Sequence, residues 1–496
     1  MLESHQLAKT IQHLSFLFVI FLLFNSCKQI PLAGNQAPKN PNIILIFTDD
    51  QGYADVGAYG ATDDIKTPHL DQLAADGVLM TSGYVTAPQC TPSRGGILSG
   101  RYQQRFGLDG NTDGPMRSEI TTIAERLSGV GYSTGMVGKW HLDPNPKSKD
   151  WLNLNFPAIK KMSKKTIPMH IKRPFTPMEQ GFDDVFWGNM NTYTANYTLQ
   201  GDTLPHVANI IDKRFRLDVQ TEAALSFIDQ HHAQPFFLYL SYFGPHVPLG
   251  ASEKYLSRFS EDMPVRRRYA LAMMSAIDDG VGQIRTKLAS LGLAENTLIF
   301  FISDNGAPLE LSKQDKPNIH LASPTWDGSI NDPWIGEKGM LTEAGIRIPY
   351  IMCWPSVIPK GKVYDNPVSA LDVAATAVAL SDAKEDELLD GVNLIPYLQN
   401  ETETAPHEYL YWRFGNQAAV RHKNWKYLYL SDGTEYLFNL ESKAHENKNL
   451  SALYPELVVK LRNALKAWTA DLKKPGLPKG SFGGQEEGWY NYFMGK

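Results

Sequence analysis

The chain has 496 residues, 43% hydrophobic and 20% charged, with a formal net charge of −5. These values match folded globular proteins and exclude a disordered, collagen-like or multi-span membrane chain. The acidic balance leaves no basic excess for nucleic acid, so no nucleic-acid partner is expected. Three cysteines, Cys27, Cys90 and Cys353, are too few for a disulfide-rich scaffold.

Residues 14–24 (LSFLFVIFLLF) form the first predicted element, an apolar run of eleven residues. A membrane-crossing helix needs roughly 20. The run instead fits the core of a secretory signal, with Lys9 as its sparse positive flank. The following Asn25-Ser26-Cys27 resembles a bacterial lipoprotein cleavage site, with lipid on Cys27; an ordinary signal peptide cut nearby is the other reading. The expectation is a signal peptide over 1–26, a polar, Pro-containing tether over 27–40, and an exported protein anchored by lipid to the cell (outer) membrane.

Four short apolar runs follow: 42–48 (NIILIFT), 132–137, 235–242 (PFFLYLSY) and 298–303 (LIFFIS). Their length and, in three of them, their branched and aromatic content predict buried strands. Helical stretches are predicted over 67–77, 120–129, 217–230 and 266–291. Alternating strands and helices imply an α/β domain with a largely parallel sheet. Each strand carries a polar cluster just past its carboxyl end: Asp49-Asp50, Lys139 with His141, His246, and Asp304-Asn305. Ligands of such sheets bind at those ends, so the four clusters are expected to form one site.

That domain is expected to span 41–404 and to close with helical and turn pieces over 371–380 and 388–398. From about residue 405 short strand-like runs, split by Gly, Asn and Asp, predict a small antiparallel sheet over 409–440. Residues 454–472 predict one amphipathic helix against it. This smaller subdomain is assigned 405–475. The Gly-rich tail, 476–496, carries no predicted element.

Residues 90–101 (CTPSRGGILSGR) carry the central motif. Pro92 suits the first turn of a helix, which puts Cys90 where free N–H groups favour an anion. Arg94 lies four residues on, within reach of the same helical face. A nucleophile, an anion hole and a fixed guanidinium then share a corner, which favours attack on an anionic ester. Asp49, Asp50, Asp304 and Asn305 offer only oxygen ligands, a set suited to a hard cation, Ca²⁺ or Mg²⁺.

The motif, with Asp-Asp-Gln-Gly upstream and Leu-Ser-Gly-Arg downstream, resembles the type I sulfatase family. Matches continue in family order through TPHLDQLAADG (67–77), GKWHL (138–142), GFDDVF (181–186), GPHVP (244–248), SDNG (303–306) and GEKGMLTEAGIRIP (336–349). AVRHKNWKYLYL (419–430) and YLFNL (436–440) extend the resemblance to about residue 470. It implies an alkaline-phosphatase-like α/β fold and a sulfuric ester hydrolase. It also implies that Cys90 is oxidised to formylglycine by a formylglycine-generating or anaerobic sulfatase-maturing enzyme. One Ca²⁺ would be held by Asp49, Asp50, residue 90, Asp304 and Asn305. Arg94, Lys139 and Lys338 would stabilise the sulfuryl oxygens. His246 would protonate the leaving oxygen, and His141 would assist the nucleophilic hydroxyl. The family usually has Gly where Ala344 stands, a departure confined to local backbone.

Residues 147–173 hold Lys147, Lys149, Lys160, Lys161, Lys164, Lys165, Lys172 and Arg173 against one acid, Asp150. This segment is expected to guide and hold a polyanionic glycan; a merely solvated loop is the other reading. Trp151, Trp187, Tyr193, Trp489 and Tyr490 could stack on sugars, although packing is the commoner role. An exported sulfatase points to polysaccharide, with an algal glycan such as ulvan or carrageenan favoured over a glycosaminoglycan. The rivals are a formylglycine-dependent phosphate or phosphonate ester hydrolase and a non-catalytic glycan-binding surface lipoprotein.

Overall fold

The computed structural model describes residues 38–157, 167–311, 326–442 and 445–496. Cys27 and Lys160, Lys161, Lys164 and Lys165 lie outside the described residues.

The predicted apolar runs become the central strands. In chain order the main elements are β1 (Asn42–Asp49), α1 (Pro68–Ala75), β2 (Val78–Met80), α2 (Cys90–Ser99), α3 (Ile123–Ser128), β3 (Ser133–Gly138), β4 (Asp184–Gly188), β5 (Thr192–Tyr197) and β6 (Thr203–Ile211). Next come α4 (Arg216–His231), β7 (Phe236–Pro245), α5 (Val265–Ser290), β8 (Thr297–Ser303), β9 (Tyr350–Cys353), β10 (Lys362–Tyr364) and α6 (Asp372–Leu380). These build a ten-stranded sheet of order β10-β2-β9-β8-β1-β7-β3-β4-β5-β6.

The sheet is mixed and mostly parallel. The five central strands, β8-β1-β7-β3-β4, all run parallel. Antiparallel pairing enters only towards the edges, where β9 lies between β8 and β2 and where β5 and β6 form a hairpin. All eight residues of β1 are buried, as expected of a parallel strand covered on both faces. Alternation divides its side chains: Ile44 and Ile46 join the core beneath α1, α4 and α5, while Ile43, Leu45 and Phe47 point to the other face. On that other side α2, α3 and α6 pack together. A capping box starts α3, with Thr122 and Glu125 each accepting from the other's backbone N–H.

The C-terminal subdomain is a four-stranded antiparallel sheet in simple order: β11 (Tyr409–Phe414), β12 (Gln417–His422), β13 (Trp425–Leu430) and β14 (Glu435–Asn439). Helix α7 (Pro455–Ala470) lays Val458, Leu461, Leu465 and Trp468 on it, giving a second core with Ala418, Val420, Tyr427 and Leu437. Tyr102 and Leu371 of the larger domain join that core.

One expectation needs correction. The tail is not without structure: Gln485–Met494 form a helix, α8, that buries Trp489 and Tyr490. Within 388–398, Ile395–Leu398 is helical and turns precede it.

Candidate active site

Six segments bring their polar residues together at the carboxyl end of the parallel strands. The last residue of β1, Asp49, and the next, Asp50, are fully buried, as are Asp304 and Asn305 just past β8. Asp50 adopts a left-handed φ of 63°, which turns its carboxylate back beside Asp49. Its backbone N–H donates to Asp304 Oδ1 at 3.0 Å. Helix α2 brings Cys90 to the same point, its Sγ 3.5 Å from Asp49 Oδ1 and 3.8 Å from Asp50 Oδ1. One ligand atom from each of Asp49, Asp50, Cys90 and Asp304 falls within 4.8 Å of all the others.

Three cations hold these carboxylates. Arg94, wholly buried on α2, donates from Nη2 to Asp304 at 2.7 Å and lies 3.4 Å from Asp49. Its Nη1 donates to Ser241 Oγ on β7 at 2.5 Å, and Ser241 in turn donates to the Lys139 carbonyl at 2.7 Å. Lys139 Nζ reaches both Asp49 oxygens at 2.7 and 2.6 Å. Lys338 Nζ lies 2.5 Å from Asp50 Oδ1 and 3.2 Å from Cys90 Sγ. Gly138 ends β3 at φ 99°, where a Cβ would stand 1.9 Å from the Ser241 carbonyl, so only glycine lets the chain turn Lys139 inward here. His141, two residues on, also takes a left-handed φ, 60°, a conformation typical of functional sites.

The electrostatics follow from crowding without water. Burial alone would raise the Asp49 carboxyl, but Lys139, His246, Arg94 and Lys338 hold it well below the usual range. Burial and the adjacent Asp49 push Asp304 upward. Burial first, and then Asp304, push the Cys90 thiol up, so the unmodified residue is a thiol and not a thiolate. Burial drives His141 well below its ordinary value, aided by Lys139 and Arg94, and its Nδ1 has no hydrogen-bond partner among the described residues. Burial also lowers His246, whose Nε2 stands 3.5 Å from Asp50 Oδ2.

The donor set fits a hard cation. Its ligand atoms besides residue 90 are all oxygens, and Asn305 Oδ1 is buried without a hydrogen-bond partner among the described residues, while its Nδ2 donates to Asp50 at 2.7 Å. An orphaned, buried amide oxygen beside three carboxylates is an oxygen open to ligate an ion.

The sulfatase family profile matches residues 41–383. The chain belongs to the sulfatase family. A second profile, the C-terminal region of N-sulphoglucosamine sulphohydrolase, matches 334–471 of this enzyme. The sulfatase is 30% identical to an N-acetylgalactosamine-6-O-sulfatase of Bacteroides thetaiotaomicron, over 90% of this chain and 96% of that one. It is 32% identical to rat (Rattus norvegicus) N-acetylgalactosamine-6-sulfatase, over 76% of this chain and 69% of the relative. Among solved structures, Ps i-CgsB in complex with k-i-k-neocarrahexaose superposes with a TM-score of 0.71 at 28% identity, covering 91% of this chain and 96% of that one.

In the sulfatase, the motif 336–349 is built around Lys338. Glu337 accepts from the N–H groups of Leu309 and Leu311 at 2.8 and 3.2 Å. Glu343 accepts from Tyr84 at 2.5 Å and Arg347 at 3.1 Å, and pairs with Lys426 of β13 at 2.9 Å. Ala344 sits in the short helical turn Glu343–Ile346, without the positive φ that would demand glycine, so the family departure costs nothing locally.

Not every predicted contact converges. Lys147 lines a separate cleft. Lys149 opens the exposed helical turn Lys149–Asn155. Lys172 pairs with Asp143 at 2.9 Å and Arg173 lies 3.6 Å from Glu179. Trp489, Tyr490 and Tyr193 are buried packing residues. Trp187 does line a cleft of about 590 Å³ together with His141, Asn189 and Asn191.

Sequence reading missed Ser241, Arg216 and Gln417. Arg216 stacks 4.4 Å over Phe243, and its Nη2 donates to the carbonyls of His246 and Pro248 at 3.1 and 2.8 Å. Gln417 binds the backbone around Lys338. None lies in a chemical motif; only the folded chain brings them to the site.

Proposed function

We propose that this sulfatase removes sulfate from a sulfated glycan, using formylglycine made from Cys90 by a maturing enzyme, with one Ca²⁺ at Asp49, Asp50, residue 90, Asp304 and Asn305. The single observation that carries this reading is the placement of Cys90 Sγ, 3.2 Å from Lys338 and 3.5 Å from Asp49, at the start of a buried helix. A divalent ion there would act as a Lewis acid on a sulfuryl oxygen. Formylglycine, once hydrated, would supply an oxygen nucleophile, where a thiol would leave a stable thiosulfate ester.

The remaining chemistry belongs to the chain. Lys139, Lys338 and Arg94 are fixed before substrate arrives, so they bind the charge that grows on the sulfuryl oxygens without reorganising. Positive charge and burial keep His141 neutral, so its imidazole can take a proton from the hydroxyl of residue 90. His246 stands across Asp50 from that group and would donate to the leaving alcohol oxygen. Burial lowers His246 overall, while Asp49 and then Asp50 pull the other way, towards its protonated form.

The glycan is read from the company the chain keeps: named relatives act on N-acetylgalactosamine 6-sulfate, and one neighbour holds a neocarrahexaose. Trp187, Asn189 and Asn191 in the cleft beside His141 have the aromatic and amide chemistry that sugars require. The test is free sulfate released from N-acetylgalactosamine 6-sulfate, glycosaminoglycans and algal glycans, by wild type and Cys90→Ala, with residue 90 checked by peptide mass. Release by matured wild type alone supports the reading. Formylglycine at 90 with release only from phosphate or phosphonate esters would replace it. Export and lipid on Cys27 belong to the same proposal; Cys27→Ser should move the protein out of the membrane fraction.

A further inference from the structure

A second cleft, of about 670 Å³, opens at the amino-terminal end of α2 between the catalytic domain and the C-terminal subdomain. Gln89, immediately before Cys90, lines it, as does Asn111, whose Oδ1 accepts from the Thr91 N–H at 3.0 Å. Its far wall is the segment joining α7 to α8, Lys474-Pro475-Gly476-Leu477-Pro478-Lys479. Two prolines stiffen that wall. Arg413 anchors it, donating to the carbonyls of Lys474 and Gly476 while its other nitrogen meets both oxygens of Asp109 at 3.1 Å.

The charges of this cleft do not cancel. Arg413 and Asp109 satisfy each other. Among the described residues lining the cleft, Lys147, Lys474 and Lys479 are then left with one acid, Asp113, which lies 3.5 Å from Lys474 while that side chain stays 68% exposed. A surplus of exposed ammonium groups in a chain of net charge −5 is a local field for anions. The cleft adjoins the one beside the catalytic centre along the chain. Pro144, Asn145 and Pro146 line the cleft that holds His141, and the next residue, Lys147, lines this one. Asn145 Nδ2 donates to the Asn111 carbonyl at 3.1 Å, fastening the divide between them.

We propose that this cleft is a second subsite, which binds an anionic group on a sugar neighbouring the one that loses sulfate. The inference rests on the sulfated-glycan reading and deepens it: the substrate is an oligosaccharide or polymer with at least two anionic groups. Lys147, Lys474 and Lys479 take the second group, and the ridge 144–147 is where the chain crosses from one cleft to the other. Of the basic segment 147–173, Lys147 is then the residue that meets the glycan, and its partners come from the C-terminus.

The test pairs Lys474→Gln/Lys479→Gln with Lys474→Arg/Lys479→Arg. Binding is measured by calorimetry on unmatured protein that still carries Cys90. The probes are a monosulfated monosaccharide and two oligosaccharides, whose second anionic group is a sulfate in one and a uronate carboxylate in the other. In wild type at least one oligosaccharide should bind more tightly than the monosaccharide. The Gln pair should shrink that advantage by on the order of tenfold, and the Arg pair should retain it. The advantage should fall with added salt. Whichever oligosaccharide responds identifies the second group. Equal loss on monosaccharide and oligosaccharides, or no advantage in wild type, would overturn the subsite. Sulfate release by matured protein is measured separately, so failure of the sulfated-glycan reading shows in that assay and failure of the subsite in the binding ratio.

Discussion

The indole of Trp489 lies against Gly339 so closely that a Cβ on the glycine would stand 2.3 Å from the ring, one residue from Lys338. On its other side the same loop is held by Gln417, whose Nε2 donates to the Gly339 carbonyl at 2.9 Å and whose Oε1 accepts from the Leu341 N–H at 2.9 Å and the Tyr490 hydroxyl at 2.6 Å. Gly339 N–H donates to Pro88, two residues before Cys90, at 3.0 Å. The C-terminal helix thus packs against the loop that carries Lys338.

Trp489→Ala should therefore damage both stability and substrate binding. Truncating a buried indole costs about 3–5 kcal/mol, read from urea unfolding. With Lys338 loosened, KM for a sulfate ester should rise by roughly tenfold, about 1.4 kcal/mol of lost binding. A variant that unfolds more easily but keeps the wild-type KM would show that α8 is only structural.

Arg216 should act through His246. No carboxylate among the described residues pairs with its guanidinium, which instead fixes the carbonyls of His246 and Pro248. Arg216→Lys loses that fork. Turnover of a sugar sulfate, which needs its leaving oxygen protonated, should drop by on the order of tenfold. A nitrophenyl sulfate, whose leaving group needs no proton, should be nearly spared. His246→Ala should show the same split more strongly, at about 10²–10⁴ on the sugar ester. Equal losses on both esters would remove the proton-donor role.

Calcium should stabilise the folded chain apart from any effect on turnover. At 100-fold excess over its Kd a ligand adds about 2.7 kcal/mol, so chelation should lower Tm and Ca²⁺ should restore it. Asn305→Ala removes the orphaned amide oxygen beside the carboxylates and should weaken that response. A Tm indifferent to Ca²⁺ and to chelator would leave the donor set without its ion.

His407 offers a pH test away from the site. Burial would lower it, but the Asp372 carboxylate, 2.8 Å from Nε2, overrides burial and raises it above 6.5. A raised folded value means that the pair's stabilisation is fully present below about pH 6.5. It is lost as pH rises through the folded value. His407→Gln should cost about 1–2 kcal/mol at pH 6 and progressively less at higher pH, measured by denaturant unfolding. A cost independent of pH would mean that the ring serves only by packing.

Much of this molecule is readable along the chain. β1, β7 and β8 are short apolar runs with acidic or histidine-bearing ends, and a parallel sheet must place those ends together. The helix over Cys90–Ser99 follows from Pro92 inside its start and Gly100 in a left-handed turn at its end. Helix α8 was not legible, because its short glycine-rich segment lacks an apolar stripe. It forms because Trp489 and Tyr490 find a surface, the usual source of stability for short helices.

The sequence by itself determined which residue types stand at each strand end, and the family. Those depend on local periodicity and on motifs a few residues long. Tertiary structure alone decided which cation meets which carboxylate: Lys139 sits on Asp49, Lys338 on Asp50 and Arg94 on Asp304. It also decided that Arg216, Gln417 and the C-terminal helix serve the site, and that Lys147 faces Lys474 and Lys479. Such pairings join residues far apart in the chain, 248 positions for Lys338 and Cys90. Their geometry depends on sheet order and on close packing of two cores, which no local pattern encodes.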